Sequence, residues 1–180
     1  MIYTFLADGF EEIEALCPVD IMRRAGLTVT TVGIGGREIV GSHGITVRAD
    51  ISDSELCFED IELIFLPGGM PGTKNLDASK AVHQAIDLAI EQNAYIAAIC
   101  AAPMILGKRG ILNEKEAVCY PGFENCLDGA TVPADKRIVT DGKIITAKGM
   151  GVAADLGLEI VRALCGKEKS DALRKAIIAE

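Results

Sequence analysis

Apolar residues along this chain fall into two groupings, short unbroken runs and stripes at helical spacing. Residues 2–7 form a run interrupted only by Thr4, short enough for a buried strand, and Leu63–Leu66 and Tyr95–Ile99 read the same way. Residues 28–34 are β-branched and strand-like, and residues 39–48, broken by Gly41 and Gly44, predict a small ribbon. Residues 11–25 read as a helix with Ile13, Cys17 and Ile21 on one stripe and Gly26 as its stop. Val82, Ala85, Ile86, Ala89 and Ile90 carry the spacing of a second amphipathic helix, and a third leads from Cys100 through about Lys108. Residues 117–120 and 137–147 supply further strand material. The cleanest stripe runs through Ala153, Leu156, Gly157, Ile160, Val161 and Leu164 to Gly166, and a short helix over 170–178 closes the pattern.

Strands alternating with crossover helices predict an α/β fold with a mostly parallel sheet covered on both faces. Nothing divides the 180 residues, so a single domain over 1–180 is expected. Apolar residues make up 49% of the chain with no Trp, which means a core of Ile, Val, Leu and Ala. A net charge of −8 with no Lys/Arg run makes nucleic acid and anionic membrane unlikely partners. Acidic residues at 8, 11, 12 and 14 come too early for a secretory leader, and no apolar stretch approaches the roughly 20 residues that span a bilayer. The six cysteines form no CxxC pair and only two histidines are present, which argues against a zinc cluster and a secreted disulfide framework. The expectation is a cytoplasmic protein with reduced thiols, most of them filling the core, and no metal.

In a parallel sheet, ligands sit outside the carboxyl ends of the strands. Three segments begin there: 8–14, 67–72 and 100–103. Cys100 is the sharpest feature, between an apolar strand and a helix whose first turn carries Pro103, with small residues at 101 and 102. A tight strand-to-helix turn projects one side chain and needs small neighbours, and a helix N-terminus favours a thiolate, so a depressed thiol pKa is expected. Glu11 and Glu12 read as acids complementing a helix dipole. Glu14 can turn toward the sheet edge, where burial beside a thiolate would raise its pKa and let it shuttle a proton. Gly68-Gly69 would let backbone N–H groups approach an oxyanion, and Gly149-Met150-Gly151 is a candidate pocket wall.

Gly9-Phe10-Glu11-Glu12-Ile13-Glu14, Pro18-Val19-Asp20, Arg23-Arg24-Ala25-Gly26, Leu66-Pro67-Gly68-Gly69 and Ala97-Ala98-Ile99-Cys100-Ala101-Ala102-Pro103, in this order, resemble the ThiJ/PfpI superfamily. The branch most similar contains the Parkinsonism-associated protein deglycase and its bacterial relatives, and the likeness runs from residue 1 to about 166. The resemblance implies a flavodoxin-like three-layer sandwich, a homodimer, a reactive Cys100, a protonated Glu14, and oxyanion donors around Gly69 and Ala101. It also implies glutathione-independent glyoxalase or deglycase activity on methylglyoxal, glyoxal or glycated protein side chains, without cofactor. The alternative it implies is an oxidative-stress sensor or chaperone acting through oxidation of Cys100. One departure stands out. The family often has a His where this chain has Tyr120, and His43 and His83 fall elsewhere, so a Cys-His dyad of the protease type is not expected.

Overall fold

The computed structural model describes residues 1–58 and 60–179. Its elements are β1 (Ile2–Leu6), α1 (Glu12–Arg24), β2 (Val29–Gly33), β3 (Glu38–Val40), β4 (Thr46–Arg48), β5 (Ile51–Ser52), β6 (Leu63–Leu66), α2 (Gly72–Asp77) and α3 (Lys80–Glu91). They continue with β7 (Tyr95–Ile99), α4 (Pro103–Lys108), β8 (Ile138–Asp141), β9 (Ile144–Ala147), α5 (Ala153–Cys165) and α6 (Lys167–Ala176). Seven strands form one sheet in the order β5-β2-β1-β6-β7-β9-β8, parallel throughout except for β8 against β9. β3 and β4 pair only with each other, as the ribbon expected from 39–48.

Alternation along the strands feeds two cores. Tyr3, Phe5, Ile64, Leu66, Ile96 and Ala98 face Val82, Ala85, Ile86 and Ala89 of α3. Ile2, Leu63, Phe65, Ala97 and Ile99 face Val19 and Met22 of α1 and Leu156 and Ile160 of α5. Both faces of the sheet are therefore covered, which is why its central strands are apolar without a break.

α1 ends in a Schellman motif: Leu27 N–H bonds Met22 O, Gly26 N–H bonds Arg23 O, and Gly26 takes the left-handed φ of 83° that the motif needs. α1 packs on α5 at one close approach, Ile21 against Gly157. α6 lies on the same seam, with Ser170 Oγ donating to Leu158 O at 2.8 Å.

Three expectations need correction. Residues 117–120 form no strand, because their amide protons go elsewhere: Ala117 to Thr131 O, Val118 to the Thr146 hydroxyl and Tyr120 to Cys100 O. The last helix begins at Lys167, directly after Gly166, rather than at 170. Of the six cysteines only Cys119 is buried, and Cys57 and Cys165 are exposed. The strand 51–52 and the short helix 72–77 are too brief to leave a periodic signal.

A Cβ on Gly157 would stand 3.0 Å from Ile21 Cβ, which is fixed by its own backbone. Gly157→Val is therefore expected to lower the urea unfolding free energy by about 1–3 kcal/mol through overpacking. Adding Ile21→Ala should recover part of that loss, a coupling that a double-mutant cycle measures.

Candidate active site

The chain leaves β1 for β2 on one side and later returns to β6 on the other, so the switch point of the sheet lies between β1 and β6. There the loops after β1, β6 and β7 meet. Glu11 N–H bonds Gly68 O at 2.9 Å, and Gly72 N–H bonds Gly9 O at 3.1 Å. Gly69 sits at φ 92°, and a Cβ there would collide with the backbone of Gly9, Phe10 and Glu11.

Cys100 follows β7 with φ of 64°, a left-handed conformation that side-chain-bearing residues rarely adopt. It is held from both sides: its N–H donates to Ala147 O at 2.9 Å and its carbonyl accepts from Tyr120 N–H at 2.8 Å. The turn closes with Ala102 N–H on Ile99 O before Pro103 opens α4. This is the geometry expected for an elbow that projects its side chain above the sheet. The sulfur meets the N–H groups of Gly69 and Ala101, the two donors expected from the sequence, and the Glu14 carboxyl.

Glu14 lies on the first turn of α1, where the Glu11 side chain accepts its N–H at 2.6 Å. Its side chain is 2% exposed. Burial, and the nearby charge of Glu11, push its pKa up to about 7, against the opposing pull of Cys100 and the Met150 and Gly68 amides. Oε2 accepts no hydrogen bond of good geometry from the described residues, so those pulls compensate a full negative charge only in part.

The depressed thiol pKa is not what the structure gives while Glu14 is ionised. Burial and the carboxylate push the Cys100 thiol up to about 12, and the Gly69 and Ala101 amides offset only part of that. The two groups titrate as a pair, and a proton resting on Glu14 removes the repulsion and donates toward sulfur.

Glu12 also departs from expectation. It is 5% exposed and anchors the ribbon, accepting from His43 N–H at 2.7 Å, the His43 ring at 2.8 Å and Ser42 Oγ at 3.3 Å. Burial opposes its charge, but the hydrogen bonds from His43 win and hold its pKa down at about 2. Glu11, Glu12 and His43 place ligand-capable atoms within 4.8 Å of one another, yet the Glu12 oxygens are taken by those donors and Glu11 by the Glu14 amide. His83 binds the Asp77 carbonyl.

Of the remaining candidates, Gly68 lies under the pair, and Tyr120, Gly149 and Gly151 line one pocket of about 290 Å³ beside it. The Tyr120 ring stacks near Gly149 and is half exposed. Sequence reasoning placed Met150 in a candidate wall without the contact its amide makes with Glu14, and missed the pocket cations Lys148 and Arg137. Met150 and Lys148 flank Gly149 at the carboxyl end of β9, a position the strand pattern does point to.

Comparison with known proteins agrees with this geometry. The DJ-1/PfpI family profile matches residues 1–163. "Protein dj-1beta" of Drosophila melanogaster is 34% identical over 175 residues, covering 96% of this chain and 94% of that protein. Its crystal structure superposes with a TM-score of 0.94 over 99% of this chain and 97% of that one. "Glutathione-independent glyoxalase DJR-1.2" of Caenorhabditis elegans is 29% identical over 167 residues, covering 93% and 89% of the two chains. The structure of Toxoplasma gondii DJ-1, oxidized, superposes with a TM-score of 0.89 at 31% identity, covering 98% and 97%. With its whole sheet, its elbow cysteine and its paired glutamate inside the matched region, the chain belongs to the DJ-1/PfpI family.

Proposed function

We propose that this protein is a cysteine-dependent glyoxalase or deglycase of small 2-oxoaldehydes, with Cys100 as nucleophile and Glu14 as proton carrier. The observation that carries the reading is a thiol on a left-handed elbow beside a buried carboxyl poised at about pH 7. The name of the nematode relative supports the substrate class. In this scheme Sγ adds to the aldehyde carbon of methylglyoxal, forming a C–S bond, and the carbonyl oxygen takes up the electron pair and then a proton. The Gly69 and Ala101 N–H groups, which face the sulfur at rest, hold the developing oxyanion. Glu14 removes the hydrogen of the former aldehyde carbon as a proton and returns one to the neighbouring carbonyl carbon, while the hydroxyl proton passes from the former aldehyde oxygen to the former ketone oxygen, leaving a lactoyl thioester. Water cleaves the thioester to lactate and the free thiol, so the balance is one water added and no external oxidant. On glycated side chains the same attack would release the repaired amine.

A second reading rests on the same donors. Two successive oxygen transfers to Cys100, each from one peroxide molecule that leaves as water, would give first a sulfenate and then a sulfinate stabilised by protonated Glu14 and the Gly69 and Ala101 amides, altering stability or partner binding. The solved structure of an oxidized relative favours keeping it. The reading includes a cytoplasmic location, consistent with the lack, among the described residues, of a helix long and apolar enough to cross a membrane. It also includes one functional domain over 1–180 and a homodimer, for which the exposed Ile13, Val40 and Ile45 offer an apolar surface.

Cys100→Ala is expected to abolish methylglyoxal turnover by metal-free protein. Glu14→Gln should lower turnover more than tenfold, the ordinary worth of acid–base catalysis being about 10² to 10⁴. Labelling of Cys100 by iodoacetamide should proceed at least as fast in that variant, since the amide removes the repelling charge. Turnover within twofold of wild type would remove Glu14 from the scheme.

Glu14 also sets a pH dependence of stability. Its pKa is about 7 folded against an ordinary 4.5, so between these values the folded state keeps a proton that the unfolded state releases. Stability therefore falls as pH rises from 4.5, and the loss is complete above 7, on the order of 3 kcal/mol. Urea titrations should show Glu14→Gln gaining stability relative to wild type between pH 4.5 and pH 8. A difference that does not change with pH would contradict the assignment.

A further inference from the structure

The pocket beside the Glu14–Cys100 pair has a charge pattern of its own. Tyr120, Lys148, Gly149, Met150 and Arg137 wall it, and its only ionisable groups besides the Tyr120 phenol are the two cations. It adjoins the reacting pair through its own walls. The Met150 amide faces the Glu14 carboxyl, Gly149 lies against that carboxyl, and Tyr120 N–H holds the Cys100 carbonyl.

Lys148 and Arg137 have no carboxylate partner among the described residues. One backbone carbonyl fixes each head group instead: Lys148 Nζ donates to Ala134 O at 2.8 Å and the Arg137 guanidinium to Gly151 O at 2.7 Å. An ammonium carries three donors and a guanidinium five, so most of their hydrogen-bonding capacity stays uncommitted. Nor is their charge spent on the nucleophile, whose setting comes from Glu14, Gly69 and Ala101. On a chain of net charge −8, two positioned cations in a carboxylate-free wall are suited to an anionic ligand group.

We infer that Lys148 and Arg137 form an oxyanion-binding subsite, which holds a carboxylate or phosphate carried by a small carbonyl substrate while its carbonyl carbon meets Cys100. The same subsite would hold the carboxylate of a 2-hydroxy acid product. The inference builds on the aldehyde chemistry proposed above and extends its substrate class from uncharged methylglyoxal to carbonyl compounds that also bear an oxyanion. In that chemistry the two cations are positioning and specificity residues, acting on binding more than on the chemical step.

Labelling of Cys100 by neutral iodoacetamide reads occupancy of the pocket without any turnover, so the subsite stands or falls separately from the glyoxalase reading. The probes are lactate, inorganic phosphate and uncharged lactamide, at constant ionic strength set with chloride. Lactate or phosphate is expected to slow labelling saturably, and lactamide to leave it unchanged. Protection by lactate assigns a carboxylate ligand, and protection by phosphate alone assigns a phosphate ester. Lys148→Met and Arg137→Met should each weaken protection about tenfold, the loss expected for one charge-assisted hydrogen bond. Lys148→Arg, which keeps a cation to bond Ala134 O, should restore most of it and shows that the loss is not one of folding. Equal labelling rates with and without both anions would overturn the subsite. So would equal protection by lactate and lactamide, or undiminished protection in both methionine variants.

Discussion

The site depends on how closely three loops approach one another at the carboxyl edge of the sheet. Gly68 is one of the tight points. A methyl group there would overlap Glu14 Oε2 and stand 2.5 Å from Cys100 Cβ. The carboxyl and the thiol can therefore face each other only because the residue beneath them has no side chain. Gly9 and Gly72 make the same allowance between the loops after β1 and β6, where a Cβ on Gly9 would strike Pro71 and Gly72 N and one on Gly72 the backbone of Gly9 and Phe10. The elbow adds a cost of its own, on the order of 1–3 kcal/mol for a left-handed residue with a side chain. It persists because both peptide groups of Cys100 are committed, one to β9 and one to the segment carrying Tyr120. Packing of the two cores against a continuous apolar sheet supplies the rigidity that holds these contacts in register.

Two carboxyls of α1, two residues apart and almost equally buried, show how local donors decide charge. Glu12 collects hydrogen bonds from an amide, a hydroxyl and an imidazole, and its pKa falls to about 2. Glu14 leaves one oxygen unsatisfied beside a thiol, and its pKa rises to about 7. Both are shielded from solvent, but Glu14 lies deeper in the protein and is pushed upward harder, and donors from the ribbon reverse that push only at Glu12. The first group is an anion that pins the β3–β4 ribbon to the helix start, and the second is a proton store. Helix position alone, which is the same first turn for both, distinguishes neither.

That contrast marks where sequence reading stops. Cys100 was legible because a buried run, two alanines and a proline announce an elbow, and the loops at 67–72 and 8–14 because they end apolar runs. The sheet and its two covered faces follow from unbroken apolar strands between helical stripes. The direction of the Cys100 pKa was not legible, since it turns on the spacing between a β1 loop and a β7 elbow that lie far apart in the chain. Glu12 read as an acid complementing the helix dipole because its His43 partner sits 31 residues away, in a ribbon whose fold over α1 leaves no periodic trace. Residues 117–120 looked like a strand because they are apolar; 117–119 are buried, but the amides of Ala117, Val118 and Tyr120 satisfy side-chain and loop acceptors in place of a neighbouring strand. Lys148 and Arg137 carry no mark in the sequence pattern, for their meaning lies in which carbonyls hold them.

Tyr120 bears on how the proposed chemistry divides its labour. The family position it fills often carries a histidine, yet the contact made here with Cys100 comes from the backbone N–H, which any residue but proline supplies. The elbow is thus indifferent to the side chain at 120. The residue is 51% exposed, and its ring and the Glu14 carboxyl both lie against Gly149. With His43 committed to Glu12 and His83 to the Asp77 carbonyl, no imidazole stands beside the sulfur to carry protons. Both the acid and the base half of the proposed reaction then fall on Glu14. One group can serve both halves only if its two protonation states are similarly populated at working pH, and a carboxyl held near pH 7 by burial meets that condition.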